Sequence, residues 1–321
     1  MKMAWVAAGR TVQALCFCIA QFALTPGAAA QNIAIVISED TPTYRNVADT
    51  VRRLVTQQAP PTLNLFTLPA ERLLVGERDI LNANFYSMAI AVGARAAGIL
   101  AELRVKPPVL NTLIPRALYE RLPRQGKPGQ CSAIYLEQPL SRHLDLARLV
   151  LPGKTRLGFV HGEQSAYYWA ELERQAKPKE FTLVAEMIER SSDLGPTLQR
   201  IFSQADFFLV LPDAELFNRA TIPKMLLSSY HSQRPVIAFS AALVKSGALA
   251  AIFTSPENLA RHIAEVVLKL QSDRNFALPP PQYPIYWNVS VNRQVASSLG
   301  LSIASDRELH AKLSRIAGDD R

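Results

Sequence analysis

The chain has 321 residues, of which 49% are hydrophobic and 19% charged, with a formal net charge of +8 and a mean hydropathy of +0.05. This mixture excludes a disordered or collagen-like polymer, and the length suffices for two domains with cores of their own. The basic balance would suit nucleic acid, but Arg and Lys are spread over helices without aromatic interleaving, so no nucleic-acid partner is expected.

Residues 1–30 read as a leader. Lys2 and Arg10 supply positive charge, Thr11 to Leu24 form a mostly apolar centre, and Pro26-Gly27 break it before Ala28-Ala29-Ala30. Such small residues suit a signal peptidase, so export and cleavage after Ala30 are expected. Gln13 and Gln21 interrupt a run already shorter than the roughly 20 apolar residues of a membrane span. Leu15 before Cys16 speaks against lipidation.

Beyond the leader, buried-type strands alternate with amphipathic helices. IAIVIS (33–38), LNLFTL, MAIAVG (88–93) and PPVLNT (107–112) are separated by helical stretches. RLGFVHG (156–162), FTLVAEMI, FFLVLPD (207–213) and RPVIAFS (234–240) repeat the arrangement at similar spacing. Val47, Ala48, Val51, Leu54 and Val55 form one stripe of a 3.6-residue period, as do Leu259, Ile263, Val266, Val267 and Leu270. Ser255 is placed to cap the second of these helices and Pro256 suits its first turn. Helices between buried strands imply right-handed crossovers and a parallel sheet.

The expected fold is therefore α/β, with two doubly wound Rossmann-like lobes, parallel sheets and a ligand cleft between them. Lobe 1 is assigned to 31–139 with 281–321, and lobe 2 to 140–280. The run Leu278-Pro279-Pro280-Pro281-Gln282-Tyr283-Pro284 cannot be helical and reads as an extended connector between lobes.

Catalytic signatures are missing: there is no Gly-x-Ser-x-Gly, His-Glu-x-x-His, Walker loop or Gly-x-Gly-x-x-Gly. Cleavage of the leader would remove Cys16 and Cys18, and Cys131 alone reads as a small hydrophobe in the strand CSAIYL. The five histidines lack ligand spacing. No catalytic residue, metal or cofactor is expected. Arg116, Arg121, Arg124 and Lys127 make a basic segment after the strand PPVLNT, and Arg116 is a candidate for holding an anionic group.

The runs Leu243-Val244-Lys245-Ser246-Gly247-Ala248-Leu249-Ala250, Arg234-Pro235-Val236-Ile237 and Tyr283-Pro284-Ile285-Tyr286-Trp287-Asn288, with Ala91-Val92-Gly93-Ala94-Arg95-Ala96-Ala97 and Ala296-Ser297-Ser298-Leu299-Gly300-Leu301, resemble the ABC-transporter substrate-binding proteins of the type I periplasmic-binding fold. The resemblance covers residues 31 to 302. It is closest to the branch that takes aromatic amino acids and related small solutes. It implies hinge closure on a small solute in the periplasm, an amino acid or an aromatic or anionic compound, and delivery by a monomer to an ABC permease in the inner membrane. The chain departs from the family at Asn111-Thr112-Leu113-Ile114-Pro115, where relatives show Ser-Asp-Pro or Thr-Asp-Pro, and at Ala94, where Thr is usual.

In open α/β sheets ligands sit outside the carboxyl ends of strands. That rule selects Ser38, Thr41, Tyr44, Gly93, Ala94, Asn111 and Thr112 in the first lobe. It selects His161, Ser165, Tyr168, Asp213 and Ser240 in the second. Tyr44 and Tyr168 are candidates for stacking on a planar solute, and Asp213 for an amino group, with packing and helix capping as the competing roles. A sensor acting on a membrane receptor and a glycosyltransferase-like enzyme are the alternatives, the latter lacking a Gly-rich phosphate turn.

Overall fold

The computed structural model describes residues 31–319 except 75–78, 80, 82–83, 124–128, 164 and 273–276. The expected leader, and Arg124 and Lys127 of the basic segment, lie outside the described residues.

The apolar runs become two sheets of the same design. In the first, β1 (Gln31–Ile37), β2 (Leu63–Pro69), β3 (Tyr86–Val92), β4 (Val109–Ile114) and β5 (Cys131–Tyr135) stand in the order β2-β1-β3-β4-β5. In the second, β6 (Arg156–His161), β7 (Thr182–Met187), β8 (Phe207–Leu209), β9 (Val236–Ala238) and β10 (Ala250–Phe253) repeat it as β7-β6-β8-β9-β10. β11 (Asn288–Val291) is added beside β10 and is antiparallel to it. The second sheet thus departs from the wholly parallel one expected, because its last strand arrives from a lobe crossing rather than through a covering helix.

The central strands of each sheet are buried on both faces, which explains their nearly continuous apolar runs. Ile33, Ile35 and Ile37 pack with α1 (Pro42–Gln58) and α10 (Pro256–Ser272), while Ala34 and Val36 share a core with α2 (Ala70–Leu74) and α3 (Ala94–Leu103). In the second lobe Phe159, Phe207 and Leu209 meet α5 (Leu140–Val150), α6 (Ala166–Ala176) and α12 (Asp306–Asp319). On the opposite face Val160, Phe208 and Val210 meet α7 (Leu194–Gln204) and α8 (Ile222–His231).

The lobe boundaries need correction. The stripe Leu259, Ile263, Val266, Val267 and Leu270 of α10 lies against Val47, Val51 and Val55 of α1, so this helix completes lobe 1. Its start is as expected, with the Asn258 amide donating to Ser255 Oγ at 3.2 Å. Trp287, Val289, Val291, Leu309 and Leu313 instead fill the core of lobe 2. Lobe 1 is therefore built from 31–135 with 256–282, and lobe 2 from 140–253 with 287–319.

Among the described residues, the chain changes lobes three times, at 136–139, 254–255 and 283–286. Before the third crossing the proline-rich segment runs beside β5: the Tyr135 amide donates to Gln282 O at 3.0 Å and the Gln282 amide to Ala133 O at 2.9 Å. The buried Gln138 ties the crossings together. Its Nε2 donates to Thr254 Oγ1 at 2.6 Å and approaches Pro284 O at 3.4 Å, while Thr254 Oγ1 donates to Tyr286 O at 3.1 Å. Arg142 on α5 donates to its Oε1.

Candidate functional site

The shared strand order has a consequence for binding. In a 2-1-3-4-5 sheet the connections run outward in opposite directions from the first and third strands, leaving a crevice at their carboxyl ends. Those switch points fall between β1 and β3 in lobe 1, and between β6 and β8 in lobe 2. Ser38 and Gly93 end the first pair, and His161, Gly162 and Ser165 with Asp213 end the second.

Gly93 organises the first switch point. Its φ of +100° lies in a region that strongly favours glycine, and a Cβ there would stand 2.4 Å from Ser38 Oγ and 2.9 Å from the Tyr44 ring. Having no side chain, it cannot cap α3. Ser38 Oγ does so from the neighbouring strand, accepting from the Ala96 amide at 2.9 Å. Ala94 opens α3, and Thr41 is the residue before α1 but makes no side-chain cap. Burial, with a smaller contribution from Glu39, raises the Tyr44 phenol above its ordinary value.

Asn111 and Thr112 do not join this group. Thr112 is fully buried and its hydroxyl donates to Ala91 O at 2.9 Å. Asn111 lies on the other face of β4, donates to Ser132 O at 3.0 Å, and lines a cavity with Leu100, Arg104, Leu122 and Gln130. Both were selected because they end an apolar run, but β4 continues to Ile114 and the side chains are consumed inside the lobe. Beyond them Leu113 adopts φ +52°, where the β4–β5 register shifts. This bulge falls where the resemblance predicts Ser-Asp-Pro.

In the second lobe Ser165 and Asp213 are joined. Ser165 Oγ donates to Asp213 Oδ2 at 2.5 Å and accepts from the Gly162 amide at 3.0 Å. Asp213 Oδ1 accepts from the Glu215 and Leu216 amides at 3.1 and 3.0 Å, closing a turn rather than capping a helix, since the next helix starts only at Ile222. Ser240 caps α9 (Ala241–Lys245), accepting from the Leu243 amide at 3.3 Å. His161 is buried, with its ring between Phe159 and Trp169, each 5.8 Å away. Tyr168 packs in the core and its ring lies 4.0 Å from that of Tyr167.

A further group spans both lobes. Glu137, at the first crossing, is 5% exposed. Its Oε1 accepts from the Arg116 amide of lobe 1 at 2.8 Å and lies 3.5 Å from the Tyr167 hydroxyl of lobe 2. Burial pushes the carboxyl up to about 7, against the Arg116 amide and the Tyr167 hydroxyl, which favour the ionised form. Its Oε2 is buried without a hydrogen-bond partner among the described residues. Burial also raises Tyr167, Tyr168 and Tyr283.

Arg116 opens α4 (Arg116–Arg121), donates to Glu120 at 2.7 Å and to Tyr283 Oη at 3.2 Å, and faces Glu171 of lobe 2 at 3.8 Å. Its guanidinium is therefore engaged by acids of this chain, contrary to the expectation that it awaits an anion. Glu137, Tyr167, Glu171 and Tyr283 escaped the sequence reading because they come from three segments far apart. The usable signal was Glu137-Gln138-Pro139, a polar pair directly after an apolar strand.

Two doubly wound lobes of one strand order, joined by three tied crossings, define a type I periplasmic-binding fold. The sequence model of the family described as ABC transporter substrate binding protein matches residues 75–307, and the chain belongs to that family. A substrate-binding protein with adhesive properties from Clostridium difficile, in its ligand-free, open form, is similar at 17% identity and a TM-score of 0.72, covering 86% of this chain and 97% of its own. The ABC domain from Streptococcus pneumonia in complex with L-Trp gives 15%, 0.63, 86% and 97%. A periplasmic ribose ABC transporter from Conexibacter woesei gives 10%, 0.57, 88% and 99%. At these identities the likeness concerns the fold. No curated protein matches the chain in sequence.

Proposed function

We propose that this protein captures a small solute between its lobes in the periplasm and delivers it to the permease of an ABC importer, working as a monomer without changing the solute covalently. The observation that carries the reading is the bridging of the lobes beside the hinge by groups that follow β4, β5 and β6. A solute held there touches both halves and favours the closed state by its differential affinity. Residues 1–30 supply the export signal. Ser38, Tyr44 and Gly93 form one wall, and His161, Gly162 and Ser165 with Asp213 form the other.

Small-angle scattering tests the mechanism. A solute found by thermal shift among amino acids, purines and aromatic acids is expected to reduce the radius of gyration at saturation. A solute that binds tightly without compaction would contradict closure. Stimulation of a cognate permease's ATP hydrolysis in proteoliposomes separates delivery from the sensor reading.

A further inference from the structure

We propose that the ligand class of this cleft is an organic cation bearing N–H donors, an ammonium or amidinium group held by Glu137 Oε2 among the phenol rings of Tyr167, Tyr168 and Tyr283. The inference rests on the solute-binding reading and specifies its substrate chemistry.

Three observations lead to it. First, Glu137 is 5% exposed and stands between the lobes, with one oxygen held at 2.8 Å by the Arg116 amide and 3.5 Å from Tyr167, while the other has no donor among the described residues. A buried carboxylate oxygen left unpaired is costly, so a donor brought by a ligand gains more there than at a surface acid.

Second, the local charge is negative. Among the described residues, the charged groups acting on Glu137 and the phenols are Arg116, Glu120 and Glu171. Glu120 and Glu171 both already engage the Arg116 guanidinium. An anionic ligand would meet an excess of carboxylates, and a cation would neutralise it.

Third, the surroundings are aromatic. The rings of Tyr167 and Tyr168 lie 4.0 Å apart, and that of Tyr283 lies 5.2 Å from the ring of Tyr135. Ring faces attract cations most strongly where water is excluded. The raised carboxyl adds a signature: a bound cation favours the ionised form, so binding releases a proton below about pH 7.

Calorimetry with a matched series tests this: tyramine, tyrosol and 4-hydroxyphenylacetate carry a cationic, neutral and anionic arm on one phenol, and agmatine is a second cation. Tyramine or agmatine is expected to bind, and tyramine at least tenfold more tightly than its neutral and anionic counterparts. Glu137→Gln should weaken the bound cation by at least thirtyfold. In the wild type the affinity should rise up to tenfold per unit between pH 5.5 and about 7 and then level, a profile that needs no variant and is flat in Glu137→Gln. Silence with both cations, stronger binding of tyrosol or 4-hydroxyphenylacetate, or unchanged affinity in a folded Glu137→Gln would each overturn the proposal. Compaction with a neutral or anionic solute would leave the solute-binding reading standing while this one falls.

Discussion

Gly93 and Gly98 lie five positions apart and should respond oppositely to alanine. At Gly93 a Cβ meets Ser38 Oγ at 2.4 Å and the backbone is left-handed, whereas at Gly98 nothing lies within 4 Å. Gly93→Ala is expected to lower unfolding free energy by about 3 kcal/mol and disturb the Ser38 cap. Gly98→Ala should raise it by about 0.5–1 kcal/mol, since it lies within α3. Urea denaturation of the two variants checks both, and equal effects would refute the close approach. The sequence indicated the glycine turn and the residues beside it. It did not indicate that Ser38 serves a neighbouring helix, because a hydroxyl at a strand end looks the same whether it meets a ligand or an amide.

Among the elements, α10 shows where pattern stops. Its stripe was plain in the sequence, but an amphipathic face records only that something covers it, not which sheet. The lobe exchange had to come from the structure, where the stripe of α1 is its complement. Strands were more legible because burial on both faces leaves an apolar run with no solvent side. The Glu137 cluster was illegible for a different reason: its members, from 116 to 283, meet only when segments of both lobes fold together. Gln138 joins the crossings, so Gln138→Ala should cost about 1–3 kcal/mol by stripping a buried donor from Thr254 and Pro284. Faster amide exchange at the crossings is the accompanying readout, and unchanged exchange would show that the knot is not what holds them.

For the whole molecule, two buried groups oppose each other in pH dependence. Glu137, raised from 4.5 to about 7, contributes stability that is full below about pH 4.5 and lost as pH rises through about 7. His143 donates from Nδ1 to Pro139 O at 3.2 Å, and burial lowers it from 6.5 to about 4. Its contribution is present above pH 6.5 and lost as pH falls through about 4. Between pH 4.5 and 6.5 the two slopes, about 1.4 kcal/mol per unit each at most, run in opposite directions and largely cancel. Glu137→Gln is expected to unmask a stability that rises over this interval. Denaturant midpoints of variant and wild type that stay parallel would rule the pairing out.

The interleaving of the lobes also governs when they can fold. Lobe 1 lacks a wall of its core until residue 272 has emerged, and lobe 2 waits for residues 287–319, so neither half can seal its interior while much of the chain is still being made. Domains that end early in a chain can settle during synthesis. This one leaves its first interior incomplete until α10 and its second until the last helix has emerged, so neither half can settle as a unit early in synthesis.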